Sequence, residues 1–372
     1  MKRFLILFVP LALMLVGLPL LGLTLADKAL VPYLVFPPQT ARVVHAPFSW
    51  WALAAIALMT TAAVTPIVVR VVRCAGRYQQ RATRSARLPW WGWLGGAFLV
   101  LAWWLAWNRF ARFAPLQTFT FSPIWLGYIV LINALSMKRT GRCMLRDRTG
   151  YFLSLFPLSA AFWWFFEYLN RFVQNWYYVG ASTDDPWQYF WQATLPFATV
   201  LPAVLGTREW LASFPRLSCG LECVRPAPML RSRWTAWIAL LVAAFGLGVI
   251  GIWPDHLFSL LWLAPLLLIT ALQVLLRQKT IVDAPARGDW RGLWQAALAG
   301  LVCGILWELW NYKSLTHWEY SVPFVHAFEI FHMPLLGYAG YLPFGLECLA
   351  VAKLLEPVFE DKPRFDRAVT IP

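Results

Sequence analysis

Residues Phe162–Tyr178 read FWWFFEYLNRFVQNWYY, and residues Gly304–Tyr320 read GILWELWNYKSLTHWEY. Each is an apolar run that ends in a glutamate followed three residues later by an asparagine: Glu167 and Asn170, then Glu308 and Asn311. That spacing places both polar groups on one helix face. A carboxylate near the end of a membrane helix is costly unless it has a partner or a task. Two such units in matching places point to one site assembled from two halves.

The surrounding composition sets the class. The chain has 372 residues, of which 60% are hydrophobic, 17% aromatic and only 13% charged, with 24 tryptophans. Soluble domains carry about 25% charged residues. The fold expected is therefore all-α, a polytopic integral membrane protein. The net charge of +14 does not point to nucleic acid. Apart from Lys28, Arg42, Arg109, Arg112, Arg171 and Lys313, the basic residues fall in connections on one side of the expected membrane. The densest connection carries Arg70, Arg73, Arg77, Arg81, Arg84 and Arg87. This is the positive-inside pattern. It implies an inner-membrane protein with both termini cytoplasmic, and membrane lipid as its main partner.

Apolar runs predict ten spans: Phe4–Ala26, Phe48–Val72, Pro89–Trp107, Ser122–Ser136, Tyr151–Asn170, Gln188–Leu205, Trp234–Ile252, Leu257–Leu276, Leu293–Trp310 and Met333–Leu354. The first follows Lys2 and Arg3 as a signal peptide would, but it exceeds an ordinary h-region and is long enough to cross. It is expected to remain as a span.

A duplication organises the rest. Trp125-Leu126 and Asn133-Ala134-Leu135 match Trp262-Leu263 and Thr270-Ala271-Leu272. Glu167, Asn170 and Pro202 match Glu308, Asn311 and Pro343. The implied organisation is two N-terminal helices with a basic loop (1–88), a four-helix repeat (89–216), a basic linker (217–233), a second four-helix repeat (234–355) and a cytoplasmic tail (356–372). An even number of crossings per unit makes the repeats parallel, related by an axis along the membrane normal. Pro202 and Pro343 are expected to break their spans and free backbone carbonyls. Gly300 and Gly304 form a Gly-x-x-x-Gly close-packing signal.

Three features bear on chemistry. Glu167, Asn170, Glu308 and Asn311 are the expected catalytic set: desolvated carboxylates for acid–base work or cation binding, with the asparagines orienting them. Arg171 is placed to neutralise Glu167. His326, Glu329 and His332 recur every three residues in Val325–Met333, which on an interfacial helix makes one polar stripe. As imidazole and carboxylate, they suit a divalent transition metal, although such a stripe also simply faces water. The six cysteines give no disulfide framework. Cys74, Cys143, Cys219 and Cys223 read as reduced cytoplasmic thiols, with Cys219 and Cys223 a weak zinc pair. Phosphate loops, nucleophile elbows and His-Glu-x-x-His are absent from the sequence.

Three functions fit these features. The first is a membrane-embedded enzyme acting on a lipid or isoprenoid near the non-cytoplasmic leaflet, with aromatic walls holding an apolar chain or a carbocation. The second is a non-catalytic subunit or assembly factor with membrane-protein partners. The third is a secondary transporter with a carboxylate coupling site.

Overall fold

The computed structural model describes residues 2–39, 41–77, 86–181 and 185–359. Arg81, Arg84 and Asp184 and most of the expected tail lie outside the described residues. The principal helices are α1 (Ile6–Leu25), α2 (Trp50–Ala75), α3 (Trp90–Trp107), α4 (Phe121–Thr140), α5 (Thr149–Val173), α6 (Pro186–Phe197), α7 (Val200–Ala212), α8 (Arg233–Val249), α9 (Ala264–Leu275), α10 (Arg291–Asn311) and α11 (Tyr341–Lys353). Short helical turns join them, and the described residues also form four short strands: β1 (Trp176–Val179), β2 (His317–Tyr320), β3 (Glu329–Ile330) and β4 (Met333–Pro334).

Among the described residues, six helices are long and apolar enough to cross a membrane: α1, α2, α4, α5, α10 and the stretch Leu335–Phe359 that contains α11. Seven qualify if Pro254–Trp262 and α9, bent by 55°, form one broken span. The expected span Gln188–Leu205 is interrupted at Ala198 and Thr199, between α6 and α7. The expected span Trp234–Ile252 is the 17-residue helix α8.

The prolines behave differently from expectation. Pro202 and Pro343 each lie in the first turn of a helix, α7 and α11. A first-turn proline forfeits no intrahelical bond, because that N–H has no partner there anyway. The irregularity comes earlier, as the break before α7 and as the 3-10 turn Leu335–Gly340 before α11.

Close helix contacts hold the bundle. α3 runs along α4, α8 along α9, and α10 along α11. α7 packs on both α4 and α10. Small residues permit these approaches: a Cβ on Gly300 would sit 2.3 Å from the Tyr341 carbonyl oxygen, and one on Gly345 would sit 2.0 Å from that of Ala296. Among apolar helices, where lipid competes equally for side chains, such backbone proximity supplies the attraction.

One helix stands apart. α2 buries none of its residues. At its start, Ser49 N–H donates to the Phe324 carbonyl (2.8 Å). At its end, Arg70 donates to the carbonyls of Gly220 (2.5 Å) and Cys223 (2.7 Å).

A disulfide between Cys74 and Cys219 ties the same end of α2 to the linker. It overturns the expectation of free loop thiols and removes Cys219 from a zinc pair with Cys223. The two cysteines are 145 residues apart, and only the fold brings them together. The positive-inside expectation would put this face in the cytoplasm, whereas stable disulfides belong to oxidising compartments. Alkylation of the purified, denatured chain separates the two. Without reductant, label is expected on Cys143, Cys223, Cys303 and Cys348, with Cys74 and Cys219 added only after reduction. Labelling of all six before reduction would refute the bridge.

Candidate functional site

Helix α5 ends where Gln174 turns left-handed (φ 48°), and its N–H donates to the Asn170 carbonyl (2.6 Å). The chain then reverses directly into β1. Helix α10 ends in the same region, and after a short turn the chain enters β2. The strands pair antiparallel, with Trp176 opposite Tyr320, Tyr177 opposite Glu319 and Tyr178 opposite Trp318.

Both asparagines fix this pairing, and both are fully buried. The Asn170 side chain donates to the Trp176 carbonyl (2.8 Å) and accepts from the N–H groups of Asn175 (2.8 Å) and Trp176 (3.4 Å). The Asn311 side chain donates to the Trp318 carbonyl (2.7 Å) and accepts from the Trp318 N–H (2.8 Å). Each amide thus mimics a neighbouring strand residue for the tryptophan that leads a Trp-x-Tyr triplet. The sequence-predicted asparagines act as positioning residues.

Strand alternation then directs the aromatics. Residues two apart share a face, so Trp176, Tyr178, Trp318 and Tyr320 stand together on one side of the ribbon. Tyr177 and Glu319 lie on the other side, where the Tyr177 hydroxyl donates to the Glu319 carboxylate. That bond holds the Glu319 carboxyl below the usual carboxylate range.

The aromatic side reaches back to the glutamates. Glu167 Oε1 accepts from Tyr178 OH (2.6 Å), Trp176 Nε1 (3.1 Å) and Trp163 Nε1 (3.2 Å). Glu308 Oε1 accepts from Tyr341 OH (2.6 Å) and Tyr320 OH (2.7 Å), and Trp318 Nε1 donates to Tyr320 OH (2.8 Å). In both glutamates the second oxygen, Oε2, is buried without a partner in the protein. No hydrogen bond joins the two carboxylates. Burial beside a carboxylate pushes the Tyr178 and Tyr320 phenols well above their ordinary range, so both stay protonated donors at physiological pH. Arg171 does not bond to Glu167; it donates to the carbonyls of Tyr33 (2.7 Å) and Val35 (2.9 Å) in the loop after α1.

A cavity of about 550 Å³ opens against the aromatic side. All four ribbon aromatics line it, with Trp163, Trp307 and Tyr341. Its outer wall is α2, through Ile56, Thr60, Ala63 and Val64, which follow one helix face. The glutamates themselves do not line it. They stand behind the phenols and indoles bonded to them, which line the cavity in their place. Sequence reading missed Tyr178, Tyr320 and Tyr341. The Trp-x-Tyr triplets, present after both Glu-x-x-Asn units, were the available signal for the first two.

The expected helix at Val325–Met333 is instead the β3–β4 hairpin, with Phe328 and Phe331 left-handed (φ 57° and 58°). Tertiary pairing takes the backbone: Phe324 N–H donates to the Ala46 carbonyl and Leu335 N–H to that of Phe328. No three-residue stripe results. His326 Nε2 bonds Glu329 Oε1 (2.9 Å), while His332 stacks on His317 (centroids 5.4 Å apart) and approaches the Tyr312 carbonyl (3.3 Å). Among the described residues, no three His, Cys, Asp or Glu side chains are arranged to hold a metal.

Replacing Asn311 by alanine removes both bonds to the Trp318 backbone and leaves strand groups unpaired, which costs about 1–3 kcal/mol. Asn170→Ala acts alike on Trp176. Each variant is expected to lower the melting temperature in detergent and to speed hydrogen exchange at the β1 and β2 amides. Unchanged exchange there would show that the ribbon does not depend on these amides. Compared with protein-family models, curated proteins and solved structures, the chain matches none, so the geometry alone carries its chemistry.

Proposed function

We propose that this chain is a membrane-embedded enzyme acting on a lipid or isoprenoid substrate near the non-cytoplasmic leaflet. The observation that carries this is the cavity: apolar, aromatic-walled, bounded by a loosely packed helix, and floored by phenols bonded to buried carboxylates. An apolar chain fits the walls. Aromatic faces also stabilise a developing cation.

The phenols supply proton chemistry. Tyr341 OH and Tyr320 OH each donate to Glu308. The Tyr320 oxygen already accepts from Trp318 Nε1, so Tyr341 is the phenol that offers its oxygen lone pairs to a substrate. When such a phenol takes a proton from substrate, its own proton passes to the carboxylate. Glu308 thereby acts as the terminal base, and the reverse path makes it an acid. Glu167 stands behind Tyr178 in the same manner. Asn170 and Asn311 hold the donors in register.

We also infer the finer architecture: ten crossings, two parallel four-helix units after two N-terminal helices, and both termini on the basic side of an inner membrane. The strand register supports the duplication. Trp176 pairs with Tyr320 and Tyr178 with Trp318, so the arrangement is unchanged when the two Trp-x-Tyr triplets are exchanged. Helix contacts support it too, since α3 with α4 corresponds to α8 with α9, and α5 with α7 to α10 with α11.

A non-catalytic membrane subunit is the second reading. Its specific support is the exposed tryptophans on α2, α3 and α8, including Trp51, Trp90, Trp93 and Trp234, which offer broad apolar faces to a partner within the membrane.

An inactive enzyme retains its substrate, which gives the test. Tyr341→Phe deletes the phenol proton and is expected to lower turnover by about 10²–10⁴-fold. Mass spectrometry of lipids co-purifying with Tyr341→Phe should find a species that is scarce on the wild-type chain. The same species should accumulate in membranes expressing the variant. Identical lipid profiles for both proteins would sink the enzymatic reading and leave the subunit.

A further inference from the structure

A second cavity, of about 970 Å³, lies at the opposite end of α2. Its charged lining is entirely basic: Arg70, Arg73 and Arg77. The first two lie on α2 and the third just beyond its end, at spacings that keep them on one side. Arg70 spends two donors on the carbonyls of Gly220 and Cys223 and so shapes the wall. Arg73 and Arg77 are exposed and form no ion pair among the described residues. No acidic residue lines the cavity. The rest of the lining is largely apolar, through Pro66, Ile67, Leu221 and Trp290, with the Cys74–Cys219 disulfide in the wall. The Trp290 indole N–H is buried without an acceptor.

Guanidinium groups beside an apolar wall suit a ligand that is both anionic and greasy. Arginine forks match phosphate oxygens in pairs. Basic pockets against membrane helices hold anionic headgroups for the same reason. The inner face of α2 continues the path, because Ala63 lines both this cavity and the aromatic one. From Arg73 to Ile56 that face runs for about 25 Å at 1.5 Å per residue. The helix buries none of its residues along the way.

We propose that the basic cavity binds the phosphate headgroup of a membrane amphiphile, whose apolar chain lies along the inner face of α2 toward the aromatic cavity. Arg73 and Arg77 grip the phosphate, and Arg70 with the disulfide holds the wall in place. The headgroup site stands independently of the chemistry proposed for the phenols; only the destination of the chain connects them.

The test is native mass spectrometry of the full chain in detergent, titrated with dioleoylphosphatidic acid, with dioleoylphosphatidylcholine or with inorganic phosphate. Phosphatidic acid is expected to bind at least tenfold more tightly than phosphatidylcholine. The double variant Arg73→Ala, Arg77→Ala should lose that preference, while Arg73→Lys, Arg77→Lys keeps part of it. The readout is binding and not turnover, so failure of the phenol chemistry would not affect this result. Equal binding of the two lipids, or full preference in the alanine variant, would overturn the proposal. Displacement of phosphatidic acid by inorganic phosphate at equal concentration would also overturn it, since the chain would then contribute nothing.

Discussion

Two carboxylates buried at helix ends must be supplied with hydrogen-bond donors, and much of the structure around the ends of α5 and α10 is arranged to do so. Each stands at the foot of an apolar helix with essentially no solvent exposure. An unpartnered carboxylate there would cost several kcal/mol. The helices cannot furnish donors from their own backbones, because those N–H groups are already used. Three of the five donors, Trp176, Tyr178 and Tyr320, come from strands that leave the helix ends and fold back, and Trp163 and Tyr341 supply the other two from helix side chains. The strands hold their position because Asn170 and Asn311 bracket their leading tryptophans. Removing the asparagines would release the strands, and with them the phenols and indoles that satisfy the glutamates. The ribbon therefore links the ends of α5 and α10 and supplies donors to both acid cages.

Much of this was legible in the sequence, and the limits have physical causes. The two Glu-x-x-Asn units stand out because polar residues within apolar runs are rare. The strands did not, since four residues are too few to tell a two-residue period from a helical one. Trp176-Tyr177-Tyr178 and Trp318-Glu319-Tyr320 sat in plain view as aromatic-rich tails. Tyr341 carries no local signal at all; it meets Glu308 only because α11 packs on α10. Cys74 and Cys219 are separated too widely for spacing to suggest a bridge. The His326–Glu329–His332 spacing misled because a periodic pattern implies a helix only when the backbone is free to form one. Here the segment pairs with itself as the β3–β4 hairpin and turns at left-handed phenylalanines.

The two acid cages are not equivalent, and the difference follows from one packing exchange. Four residues before Glu167 stands Trp163, whose indole donates to the carboxylate. Four residues before Glu308 stands Gly304. Its missing side chain opens space that the Tyr341 ring fills, so closely that a Cβ on Gly304 would lie 2.2 Å from that ring. Tyr341 follows Glu308 by 33 residues; the residue at that distance from Glu167 is Val200, which bears no donor. Glu167 is thus held by two indoles and one phenol, and Glu308 by two phenols. An indole N–H is a donor only, with no lone pair to take up a proton in return, whereas a phenol both donates and accepts and so can pass a proton through its oxygen. The first cage is suited to holding the fold and the second to moving a proton, so any chemistry in this cavity is expected to centre on Glu308, with Glu167 maintaining the ribbon that positions it.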